Sequence, residues 1–243
     1  MTTLRSAKAF ALDRRSARSG ATLLLFTALA TAPVAAQSQD ETTRLLQEYV
    51  RIDTSNPPGD TRKAADFLAG IFVREGIPTT RYESEPGKAI IYARLKATAN
   101  PPAGKAVLLL HHMDVVPADK SQWKVDPFAA TIVPGDRGAG APGGDDVMFA
   151  RGAMDMKGMA IAQLVAFLRL KRDNVPINRD VILLAEPDEE VGGAMGARWM
   201  IANHYAELDP EFVSTRADSA AATSLRPASS CTACRSRKKR SSG

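Results

Sequence analysis

Residues 108–119 read LLLHHMDVVPAD. An apolar run of this kind fills a core, yet this one ends in His111, His112, Met113 and Asp114. Imidazoles and carboxylates at the end of an apolar strand are metal-site chemistry. His112 and Asp114 are two residues apart, so on a strand they point to the same face. Asp114 can then accept the second ring N–H of His112, which fixes the tautomer and raises the basicity of the other nitrogen. His111 is the rival ligand, with the opposite strand parity.

Outward from this stretch the pattern alternates between strand and helix. TTRLLQEYVRID (42–53) has helical apolar spacing and is broken by TSNPPGD. TRKAADFLAGIFVREGI (61–77) is a second amphipathic helix stopped near Gly76. KAIIYARLKA (88–97) and KAVLLLHH (105–112) read as strands, with NPPAGK turning between them. AATIVPGD and VMFARG are shorter strand candidates on either side of a Gly-rich loop, DRGAGAPGGDD. MKGMAIAQLVAFLRLKRDN is a strong helix, RDVILLAEPDEE a strand ending in acids, and GAMGARWMIANHYAEL a further helix. The class is therefore α/β, with a mixed, largely parallel sheet between helical layers.

Two more acidic clusters sit where strands end. ARGAMDMKG places Asp155 at a strand-to-helix turn, and EPDEEVGG places Glu189 and Glu190 after VILLA. Ligands of open α/β sheets bind at such ends. Taken singly, each cluster has a plain structural reading. His-x-Asp can be a surface pair, Asp155 a helix N-cap, and the DEE run a complement to a helix dipole. Their joint occurrence in this order is much more specific.

The charge is unevenly spread. The formal net charge is +5, but residues 1–36 carry five basic residues against Asp13, and residues 214–243 seven against Asp218. The segment between them is net acidic, so the basic balance gives no support for nucleic-acid binding by the globular part. Residues 1–36 read as a secretory signal. Arg14, Arg15 and Arg18 precede ATLLLFTALATAPVAA, cleavage fits after Ala36, and a secreted or periplasmic location is expected. An uncleaved anchor is the alternative, although the apolar core is short for a span; after cleavage no stable membrane association is expected. His204, the Cys231/Cys234 pair and RSRKKR carry no expected role.

The three clusters together resemble metallopeptidase family 20, the zinc exopeptidases and deacylases that include carboxypeptidase G, aminoacylase and acetylornithine deacetylase. HxDVVP corresponds to residues 112–117. GRGxxDMKGG corresponds to ARGAMDMKGM, with Ala150 and Met159 in place of glycines. DEExGG corresponds to residues 188–193. Trp123 and the DPF at 126–128 also fit, and the resemblance covers roughly residues 40–213. It implies two zinc ions, with cobalt a possible substitute. His112 would bind one metal, Asp155 would bridge both, and Glu190 would bind the other. Glu189 would be the general base and Asp114 would orient His112. A cis peptide between Asp155 and Met156 is implied as well. The expected activity is hydrolysis of an amide bond in a small peptide or N-acyl amino acid by a metal-activated water. The alternative is an exported, non-catalytic metal-binding fragment or pseudoenzyme.

The family also has a further metal carboxylate after the next strand, in a stretch like FVLNEGG, a late metal histidine, and a smaller dimerisation domain. None of these is recognisable after Phe212 and Val213. Deleting one nucleotide from a possible coding sequence for Val-Leu-Asn-Glu-Gly-Gly-Phe gives Val-Ser-Thr-Arg-Ala-Asp-Ser, the residues at positions 213–219. The expected organisation is a signal segment at 1–36, the N-terminal part of the catalytic domain at 37–213, and a disordered basic tail at 214–243. That tail would arise by frameshift and leave an inactive, truncated chain.

Overall fold

The computed structural model describes residues 34–134 and 145–215, with side chains described from residue 41. The expected signal segment up to residue 33, most of the Gly-rich loop and the tail beyond 215, including Cys231 and Cys234, lie outside the described residues. Four helices are described: α1 (Val34–Val50), α2 (Arg62–Arg74), α3 (Gly158–Arg172) and α4 (Ala197–Leu208). The strands are β1 (Thr79–Glu83), β2 (Ala89–Leu95), β3 (Ala106–His112), β4 (Thr131–Val133), β5 (Val147–Phe149), β6 (Val181–Glu186) and β7 (Pro210–Ser214). Helix α1 covers Val34–Val50, so the expected cleavage position after Ala36 falls within it.

Five strands form one sheet in the order β1-β2-β6-β3-β7, and β4 pairs with β5 in a separate antiparallel ribbon. β3 runs parallel to β6 and β7, whereas β2 is antiparallel to β6 and to β1. The sheet is mixed, as expected. The strands joined by NPPAGK are not neighbours, because β6 lies between them. A core strand with apolar residues on both faces belongs in the sheet centre, and VILLAE is such a strand.

The period-2 alternation divides the core into two layers. Ile91, Ala93, Leu183 and Ala185 join Leu45, Tyr49, Leu68, Phe72, Leu164 and Phe167 from α1, α2 and α3. Ile90, Tyr92, Ile182 and Leu184 face the other way, toward Leu108, Met200 and Leu208, the last two from α4. The sheet is thus sandwiched between helical layers. The pairing that positions the site is parallel. His112 of β3 lies opposite Glu186, the last residue of β6. Both strands therefore release their loops at the same sheet edge.

Candidate metal centre

His112 is the last residue of β3, and the strand ends before Asp114. The ring is buried. Its Nδ1 lies 2.9 Å from the Asp114 backbone carbonyl and 3.4 Å from the Asp114 carboxylate. The carbonyl can only accept, so Nδ1 carries the proton and Nε2 presents its lone pair in the neutral ring. Nε2 lies 3.1 Å from Asp155 Oδ1 and 3.8 Å from Glu189 Oε2. Burial alone would lower the His112 pKa, but Asp114 and Glu189 outweigh it and lift it to about 9.

His111 points away from this group, as its parity dictates. It is fully buried, its Nδ1 meets Gln163 Oε1 at 3.3 Å, and burial drives its pKa down to about 3. It is a neutral core histidine on the α3 side of the sheet.

Asp114 does more than face the histidine. Its carboxylate is completely buried. Oδ1 accepts the backbone N–H of Glu189 at 3.2 Å, and Oδ2 accepts that of Glu190 at 3.2 Å and the Asn56 side-chain amide at 2.8 Å. Burial would raise its pKa, but the bonds from His112, Asn56 and Glu190 hold it below the ordinary carboxylate value. The acidic turn is fixed from a second side by Asp188, whose carboxylate accepts the Met195 N–H at 3.1 Å. Asp188 is buried with φ 64°, so it shapes the loop that Glu189 and Glu190 leave.

Asp155 arrives on the one-turn segment Ala153–Lys157, which precedes α3 and contains a cis peptide between Asp155 and Met156. The turn is pressed against the His112 strand. Gly152 has φ 78°, and a Cβ there would meet Val115 Cγ1 at 2.5 Å. Only glycine tolerates both conditions. Lys157, two residues after Asp155, is fully buried, and its Nζ donates to the Ile52 carbonyl at 2.7 Å and the Tyr49 carbonyl at 3.3 Å. Burial pulls its pKa down to about 7, against the opposing charges of Asp53 and Asp114.

The structure therefore brings together all five residues that the sequence singled out. One ligand atom each from His112, Glu189 and Glu190 lies within 4.8 Å of the others. Burial pushes the Glu190 carboxyl up, and Asp155, Glu189 and Asp114 add to this against the pull of His112. Carboxylates gathered round one imidazole repel one another, and a divalent cation relieves that repulsion. The donor set of nitrogen and carboxylate oxygen suits zinc. The residues present fit a metal. The sequence alone assigns no role to Asn56, Lys157, Asp188 or Gln163, although the first three stand in TSNPP, DMKG and DEEVGG.

Residues 108–224 match the family model described as Peptidase family M20/M25/M40. The match bears out the family resemblance read from the sequence. The chain is 32% identical over 181 residues to aminoacylase-1A of Rattus norvegicus, an alignment covering 74% of the chain and 40% of that relative. It thus spans well under half the length of the aminoacylases it matches. The M20 family metallo-carboxypeptidase Sso-CP2 of Sulfolobus solfataricus superposes with a TM-score of 0.58 at 27% identity, covering 72% of this chain and 36% of that one. The fold likeness extends to human carnosine dipeptidase 1, with a TM-score of 0.56 at 22% identity over 73% of this chain and 38% of that one.

Proposed function

We propose that this chain carries the N-terminal part of a metal-dependent hydrolase that cleaves an amide bond in a small peptide or N-acyl amino acid. The observation that carries the reading is His112 Nε2, turned by its Nδ1 bond toward Asp155 and Glu189 at the shared edge of β3 and β6. The aminoacylase relatives support the N-acyl amino acid class, and the carboxypeptidase likeness supports the peptide class.

In this reading His112, Asp155 and Glu190 hold divalent metal, zinc by preference, in a two-metal arrangement with cobalt able to substitute. Metal bound there would polarise the scissile carbonyl and acidify water. Glu189 is the more exposed of the two adjacent glutamates, so its carboxylate can reach solvent and substrate. It takes a proton from the attacking water and returns it to the leaving amine nitrogen. Asp114 keeps the proton of His112 on Nδ1 and holds the backbone from which both glutamates extend. The domain plan proposed with this function is the signal segment, catalytic part and frameshifted tail described above, with export of the chain. Because the described residues offer one site imidazole, we propose that this chain alone binds metal weakly and does not turn over substrate.

Two measurements test the reading. Zinc and cobalt titrations of the purified chain should show metal binding that Glu190→Ala weakens. A protein extended to the length of its relatives should hydrolyse N-acetyl amino acids or dipeptides in a chelator-sensitive manner. An extended protein that binds metal and hydrolyses neither class would favour the non-catalytic reading.

A further inference from the structure

The segment from Tyr49 to Asn56 supplies none of the proposed ligands, yet it touches two of the three parts of the site. Thr54 Oγ1 donates to the Met113 carbonyl at 2.6 Å. The Asn56 N–H donates to the Val115 carbonyl at 2.9 Å, and the Val115 N–H returns to the Thr54 carbonyl at 3.2 Å. Ser55 and Val115 form an isolated parallel bridge. The loop therefore extends the sheet beside β3 by one short pairing, where β3 itself has ended. At the other end of the segment, the Tyr49 and Ile52 carbonyls receive the Lys157 ammonium, which ties down the turn bearing Asp155.

Asn56 stands where this segment meets the acidic turn. It is 4% exposed and its side-chain amide donates to Asp114 Oδ2, the same oxygen that accepts the Glu190 N–H. Its position is enforced from behind. Gly59 has φ 65°, and a Cβ at that residue would meet Asn56 Cγ at 2.5 Å. The amide shares the Asp114 carboxylate with the two successive N–H groups of Glu189 and Glu190, so all three bonds depend on the orientation of that one group.

We infer that Asn56 is a positioning residue of the metal centre, acting through Asp114 to fix the backbone of Glu189 and Glu190. The inference rests on the proposed function for its purpose but not for its geometry. A carboxylate with one oxygen anchored by a neutral amide keeps its orientation; freed of that anchor it can rotate, and the bonds to the acidic turn weaken together.

The test compares amide hydrogen exchange in the metal-free chain for wild type, Asn56→Ala and Asn56→Asp. The Asp variant keeps the volume but loses the donor. Phe72→Leu, in the helix-side core, reports general destabilisation. The Met195 amide, which bonds to Asp188 and not Asp114, is the internal reference. Exchange at Glu189 and Glu190 should rise at least about tenfold over that at Met195 in both Asn56 variants. Phe72→Leu should shift all three alike. Equal changes at all three amides in the Asn56 variants would overturn the inference. A cobalt titration adds the coupling. The affinity lost in Asn56→Ala should not add to that lost in Asp114→Asn, and full additivity would also overturn it. Wild-type chain that binds no cobalt would count against the proposed function, while the exchange comparison would still decide the role of Asn56.

Discussion

Asp114 Oδ2 accepts the backbone N–H of Glu190 across 76 positions of sequence at 3.2 Å. The acid that lies two residues after His112 is thus also the anchor of the acidic turn. Its nearest contact with His112 is through its carbonyl, at 2.9 Å, rather than through its carboxylate, at 3.4 Å. The expectation from spacing that Asp114 orients His112 acquires a second partner. One buried carboxylate links two strand ends.

Replacing that carboxylate should therefore disturb both ends of the link. In Asp114→Asn the carbonyl contact to His112 survives. One of the acceptors for Glu189 and Glu190 becomes an amide NH2, which cannot accept. Zinc or cobalt affinity should fall on the order of 10–100-fold, read by competitive titration against a chelator. An unchanged affinity would remove Asp114 from the site's supporting structure.

Glu189 and Glu190 are adjacent, but the roles proposed for them separate on mutation. In a protein extended to the length of its relatives, Glu189→Gln should retain metal and lose roughly 10²–10⁴-fold in turnover. Glu190→Ala should lose metal at one position. Metal content by elemental analysis beside the rate decides the matter, and the reverse pattern would exchange the two roles.

Glu186 gives the chain a pH signature. Burial raises its pKa to about 8, from an ordinary value of 4.5. In the unfolded chain the carboxyl ionises above the lower value, while in the folded chain it stays protonated up to the higher one. Its contribution to stability is therefore fully present below about pH 4.5 and is lost as pH rises toward about 8. Glu186→Gln cannot ionise. Urea unfolding of this variant should show a smaller decline in stability between pH 5 and pH 8 than wild type. Parallel declines in the two proteins would show that Glu186 is ionised in the folded state.

The helix-side core is expected to be sensitive to loss of volume. Phe72 is fully buried and meets Phe167 edge-on, with ring centroids 5.9 Å apart. Phe72→Ala should cost about 3–5 kcal/mol in unfolding free energy, measured by denaturant titration. A loss below about 1 kcal/mol would mean that this face of the sheet is not packed as described.

What the sequence by itself determined was local. The apolar runs of AIIYARL and VILLAE, the helical spacing of GMAIAQLVAFLRLKR and the order of the three acidic clusters are properties of neighbouring residues. Strand β1, TTRYE, and strand β7, PEFVS, escaped that reading, because each is a short edge strand with exposed side chains and little apolar signal. Pairing with β2 and β3 makes them strands. His112, Asp155, Glu189 and Glu190 could be singled out for the same local reason: each is an imidazole or carboxylate at the end of a strand or in a turn. Only the tertiary structure decided what supports them. Asn56 reaches Asp114 from 58 positions away, and Lys157 reaches Ile52 from 105 away. A buried amide or ammonium takes its meaning from the partner that satisfies it, and folding alone brings that partner within hydrogen-bonding distance.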